Sequence, residues 1–211
     1  MHIYAFGSVC RGDISPSSDI DLLAITDGHD PRFDPDCYSI YSYRRISELW
    51  QEGNPFAWHL ALESKLLFAS DENDYLKSLG NPAPYRNCVS DCEKFYALFC
   101  DARTSLADSP ASRVFDLSTI FLSVRNIASC FSLGVTTTPT FARNSATRLE
   151  AFSINISSSA YQVLESARIL CTRGHGNSIS TAQVSIAILE FDEIDRWMDS
   201  LVKGAKAHER I

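Results

Sequence analysis

Two short apolar runs near the start of the chain, HIYAF at residues 2–6 and IDLLAI at residues 20–25, are separated by a joint that no regular element can cross. Runs of this length, rich in branched and aromatic residues, read as strands. The joint carries Gly7 and Ser8, then VCRGDISPSS, whose Gly12, Pro16 and paired serines leave room for one short helical turn after Ser8. The chain therefore opens as strand, turn, strand. After the polar connection DGHDPRFDPD, the stretch CYSIYSY at 37–43 reads as a third strand.

The hydrophobic period then changes. RISELWQEG and PFAWHLALESKLLFAS place apolar residues at helical intervals, which predicts two helices, with Asn54 a cap and Pro55 at the first helical position. Asp71 is placed to cap a further short helix through Leu79, and GNPAPY at 80–85 has the Gly and Pro density of a linker. Beyond it, helices are expected at about 88–106, 111–133, 158–172 and 180–203, with a shorter helical turn near 140–149. The fold class expected is α+β: a first domain at 1–80 built on a small sheet with helices, followed by an all-α helical bundle at 86–205.

Composition narrows the function. An apolar fraction of 45% with 21% charged residues is that of a globular chain, and no uninterrupted apolar run reaches the roughly 20 residues that span a bilayer. MHIYAFGSV lacks the basic region and long apolar stretch of a secretory signal, so no membrane association and a cytoplasmic location are expected. Seven cysteines without regular spacing read as reduced, buried thiols; Cys88 and Cys92 lack the further ligands of a zinc site. A net charge of −7 argues against a protein that grips long nucleic acid, since that affinity comes from Lys and Arg, but it allows a small anionic substrate bridged by metal.

The chemistry sits in residues 6–23, FGSVCRGDISPSSDIDLL. Gly7 and Ser8, where a strand ends, can offer backbone N–H groups and a hydroxyl to phosphate oxygens, because glycine lets a ligand approach the main chain. Asp19 and Asp21 flank Ile20 in a strand, so alternation points both carboxylates to one face. Such a pair suits Mg²⁺ (or Mn²⁺), a hard cation that takes a couple of carboxylates and completes its shell with phosphate and water. Arg11 is placed either to reach phosphate or to brace Asp13 or Asp19. Ser18 is placed to form the turn or cap it, or to contact the nucleotide.

Together these residues, with ten between Ser8 and Asp19, closely resemble the Gly-Ser…Asp-x-Asp motif of the DNA polymerase β-like nucleotidyltransferase superfamily. Its small bacterial members, including kanamycin-nucleotidyltransferase-like proteins with a C-terminal helical bundle, often read GSxxRGDxxxxSDIDLL. The resemblance implies the mixed sheet of the nucleotidyltransferase fold. It implies that Gly7 and Ser8 hold a nucleoside triphosphate, that Asp19 and Asp21 bind metal and catalyse, and that Arg11 and Ser18 occupy nucleotide-binding motif positions. It continues more loosely to about Ser70, where SELWQEGNPFAWHLALESKLLF looks like the helix that closes such domains. The reaction implied moves an NMP group, AMP from ATP first among the choices, to an acceptor hydroxyl with release of pyrophosphate. The acceptor is either a small molecule or a side chain of a partner protein.

The sequence departs from the family in two places. The family carries a third carboxylate on the third strand, whereas CYSIY has none; Asp36, immediately before it, is the candidate for the third catalytic carboxylate, with Asp34 behind. The family also has a helix before the first strand, where this chain begins with the strand, so the expectation is either a truncated start or an apolar flank covered by a homodimer or a bound partner protein. The helical half resembles, in arrangement only, the bundles that follow such domains in aminoglycoside nucleotidyltransferases and in the HEPN group. Where HEPN ribonucleases place His after Arg, SVRNIASCF has Cys130 and Phe131, and no RNase site is visible. Arg125 is placed for a salt bridge or for the acceptor. Without the third carboxylate, the alternative is a catalytically degenerate nucleotide-binding regulatory or interaction module.

Overall fold

In the computed structural model, which describes residues 1–13 and 20–209, the opening runs form strands β1 (His2–Phe6) and β2 (Asp21–Thr26). They pair antiparallel, with Phe6 opposite Asp21 and Tyr4 opposite Leu23. β3 (Tyr38–Ser42) runs parallel to β2, and β4 (Ser64–Ala69) runs antiparallel along the other side of β1. The described residues thus hold a mixed four-stranded sheet in the order β3-β2-β1-β4. Helix α1 (Ser8–Arg11) is the single turn for which the joint leaves room.

One face of the sheet is closed by α2 (Tyr43–Glu52), α3 (Pro55–Glu63) and α4 (Tyr75–Ser78). Alternation along the strands sends Tyr4, Phe6, Leu23 and Ile25 to that face. There they meet Ile46, Leu49 and Trp50 of α2, Ala57 and Leu60 of α3, and Leu76 of α4. The side chain of Asn54 caps α3 by accepting from the Phe56 N–H at 2.9 Å, and Pro55 follows at the first turn, as its fixed φ favours. The sheet leaves Ile40, Leu67 and Phe68 exposed.

Three expectations about the helices are corrected. The stretch 55–70 is not one helix: α3 ends at Glu63, and Ser64–Ala69 becomes β4. KLLFA is apolar without a polar counter-face, so its period fits either element, and pairing with the open edge of β1 decides. The cap of α4 is Asp74, whose carboxylate accepts from the Lys77 N–H at 3.2 Å, whereas Asp71 accepts from the Asn73 N–H in the preceding turn. The helix expected over 180–203 is two, α8 (Thr181–Ile188) and α9 (Phe191–His208). α8 packs on α7 (Ser158–Arg173), while α9 packs on α5 (Cys88–Asp108) and α6 (Arg113–Val135), so one straight helix cannot serve both sets of neighbours.

The chain divides into two compact units, Met1–Arg86 and Asn87–Ile211. The GNPAPY stretch is tied to the first: the Trp50 indole donates to the Gly80 carbonyl at 2.9 Å and the Trp58 indole to that of Ala83 at 3.0 Å. The second unit is helical and centred on α6, against which α5, α7 and α9 pack. By length and composition α6 is apolar enough to cross a membrane, but 67% of its most apolar window is buried within the structure, as in a core helix. Short 3₁₀ turns at Ser145–Thr147 and Glu150–Phe152 stand where a helical turn was expected. All seven cysteines are free thiols; Cys92 and Cys130 are buried, whereas Cys37 and Cys171 are exposed, which corrects the expectation of general burial.

Candidate functional site

The end of β1 turns sharply at Gly7, whose φ of 76° and ψ of −138° lie in a region that only glycine enters without strain. The turn has a second requirement. A Cβ at Gly7 would stand 2.8 Å from Oδ2 of Asp21, closer than such atoms approach. The main chain of the β1–α1 turn and the carboxylate at the start of β2 are therefore adjacent. The antiparallel register that sets Phe6 opposite Asp21 brings them together.

Asp21 is exposed, and alternation places it on the same face as Leu23 and Ile25, at the rim of the helix-covered side. Ser8 is half-buried and opens α1; its carbonyl accepts from the Asp13 N–H at 3.0 Å. Gly12, at φ 78°, ends α1 by returning its N–H to the carbonyls of Ser8 and Val9. Asp19 and Ser18 lie outside the described residues, so the partner of Asp21 in the Asp-x-Asp pair is known from sequence only.

Arg11, the last residue of α1, is held on two sides. Its Nε donates to Asp13 at 3.1 Å and its Nη1 contacts the Glu63 carboxylate. Of the two placements expected for Arg11, the structure shows the bracing contact to Asp13 and adds Glu63. Glu63 ends α3, and its main-chain carbonyl accepts the Gly7 N–H at 3.1 Å. One helical turn back, Nε2 of His59 lies 3.0 Å from Oε2 of Glu63, and the His59 ring stands edge-on to Phe6 at 5.6 Å. Burial would push the Glu63 carboxyl up, but the close approach of His59, followed by the Arg11 guanidinium, outweighs it and holds the group below its ordinary value.

Sequence reasoning missed this network. The signal present was the His-x-x-x-Glu spacing at 59 and 63, which puts two side chains on one helix face. Their meeting with Arg11 depends on the register of β4 against β1.

The third carboxylate is not supplied by β3. In the parallel register Leu23 pairs with Ser39 and Ile25 with Tyr41, so the face of β3 shared with Asp21 presents Ser39 and Tyr41. Asp36 is exposed in the turn before the first paired residue, Tyr38, with its N–H donated to Oδ1 of Asp34 at 2.9 Å. In the second unit, Nη2 of Arg125 donates to the Phe141 carbonyl at 3.2 Å.

The donor chemistry fits a hard cation: the Asp21 carboxylate supplies oxygen beside a glycine turn that has no Cβ to obstruct a phosphate. Among the described residues no group of three His, Cys, Asp or Glu side chains is placed to hold an ion.

Residues 2–79, within the first unit, match the nucleotidyltransferase domain family, consistent with a polymerase β-like nucleotidyltransferase superfamily member. No curated protein and no solved structure matches the chain.

Proposed function

We propose that the chain is a nucleotidyltransferase that moves an NMP group, AMP from ATP foremost, to an acceptor hydroxyl. The nucleotidyltransferase domain supports nucleotidyl transfer and a nucleoside triphosphate substrate in general. The observation that carries the finer reading is the approach of Gly7 to Asp21, which sets an open main-chain turn beside a carboxylate.

In this reading the Gly7 turn and Ser8 hold the triphosphate, and Asp19 and Asp21 hold the metal. Bound Mg²⁺ or Mn²⁺ supplies charge neutralisation of the phosphates and orientation of the reacting oxygens. The acceptor oxygen forms a bond to the α-phosphorus as the bond to the pyrophosphate oxygen breaks. The acceptor proton passes to a base, for which Asp36 is the candidate, and pyrophosphate leaves. The acceptor is a small molecule or a protein side chain.

A second reading, a nucleotide-binding regulatory or interaction module without turnover, is favoured by one observation: β3 faces Asp21 with Ser39 and Tyr41. Incubation of the protein with Mg²⁺ or Mn²⁺, each labelled NTP and cell extract as acceptor source separates the two. Label transfer with pyrophosphate release, lost in Asp19→Ala/Asp21→Ala, supports the enzyme. Metal-dependent binding without turnover supports the module.

A further inference from the structure

Glu63 grips both ends of the short segment that carries the expected phosphate-binding turn. Its carbonyl takes the Gly7 N–H, and its carboxylate takes Arg11, the last residue of α1. The grip is sheltered, with the Arg11 and Glu63 side chains 18% and 13% exposed, so the charge-assisted contact is screened less than a surface pair. His59 approaches the same carboxylate oxygen as Arg11, its Nε2 3.0 Å from Oε2, and is itself packed on Phe6. Arg11 spends Nε on Asp13 and Nη1 on Glu63; among the described residues no hydrogen bond or ion pair takes its Nη2.

We propose that the Glu63 carboxylate, backed by His59, is a positioning group for triphosphate binding: it fixes the Arg11 guanidinium so that Nη2 is directed to a phosphate oxygen at the Gly7 turn. This rests on the nucleotide-site reading above. An unsupported arginine loses much rotamer freedom on engaging a ligand, and a guanidinium fixed during folding does not. The opposing effect is that two carboxylates neutralise the arginine and weaken its pull on phosphate. The two effects give opposite signs on removing Glu63, and ordering dominates because the contact is sheltered and a separate fork position remains.

The test is affinity of the full chain for each of the four NTPs with Mg²⁺ or Mn²⁺, for wild type, Glu63→Ala, Glu63→Gln, Arg11→Ala and Arg11→Ala/Glu63→Ala. The expected result is about a tenfold or greater loss in Glu63→Ala, the size of a hydrogen bond to a charged group. Partial recovery is expected in Glu63→Gln, which keeps an acceptor, with no further loss when Glu63→Ala is added to Arg11→Ala. Unchanged or tighter binding in Glu63→Ala overturns the proposal, as does an equal loss from Glu63→Ala in the Arg11→Ala background. If Glu63→Ala does not fold, Glu63→Gln takes its place: a loss in Glu63→Gln with no further loss from Arg11→Ala to the double variant supports the proposal, and unchanged binding in Glu63→Gln overturns it. Absence of metal-dependent binding in the wild type overturns the nucleotide-site reading itself, and it is seen before any variant is compared.

Discussion

Gly7 and Asp21 meet so closely that a single methyl group would not fit between them: a Cβ on Gly7 falls 2.8 Å from Oδ2 of Asp21. Two independent demands converge on this glycine, the contact and a φ of 76° with ψ of −138°. Gly7→Ala is expected to cost about 1–3 kcal/mol of stability from backbone strain. It should also remove metal-dependent triphosphate binding, because either the turn or the carboxylate must move. Denaturant unfolding and nucleotide titration of the same variant check both halves.

Glu63 gives the site a pH dependence of stated sign. Its carboxyl is held below its ordinary value against the upward push of burial, by His59 and Arg11. A group whose folded value lies below its unfolded one contributes stability above the unfolded value and loses it as pH falls through the folded one. Wild-type stability should therefore decline on the acid side of the usual glutamate range, and Glu63→Gln should lack this share of the decline. Unfolding of both proteins over a series of acidic buffers measures the difference.

Gly53 fastens the end of the first unit. At φ 64° it caps α2, and a Cβ there would lie 2.5 Å from the carbonyl oxygens of Ala83 and Pro84. Gly53→Ala is expected to destabilise this unit by more than the ~1 kcal/mol that left-handed strain alone costs, since backbone must shift as well. It should also expose residues 80–85 to proteolysis, with Trp50 and Trp58 fluorescence reporting the loss of their carbonyl partners.

The parts legible in the sequence were those set by local chemistry. β1, α1 and β2 follow from branched runs broken at Gly7, and Asn54 with Pro55 marks the start of α3. The proximity of Gly7 to Asp21 follows once the two runs pair. What the sequence concealed depends on partners distant along the chain. Ser64–Ala69 carries no period of its own and becomes a strand because β1 has an unpaired edge. Glu63 appears as the last residue of a helix, and its role beside Arg11 emerges only from that pairing. The break at Leu189 and Glu190 likewise answers to two sets of neighbouring helices.

The most direct measurement is titration of the four nucleoside triphosphates into the protein with and without Mg²⁺ or Mn²⁺, beside an Asp19→Ala/Asp21→Ala variant whose fold is checked by circular dichroism. The account expects at least one triphosphate to bind in a metal-dependent way and to lose about tenfold or more of its affinity in the variant. Equal affinity in a folded variant, or no metal-dependent binding to the wild type, would contradict it.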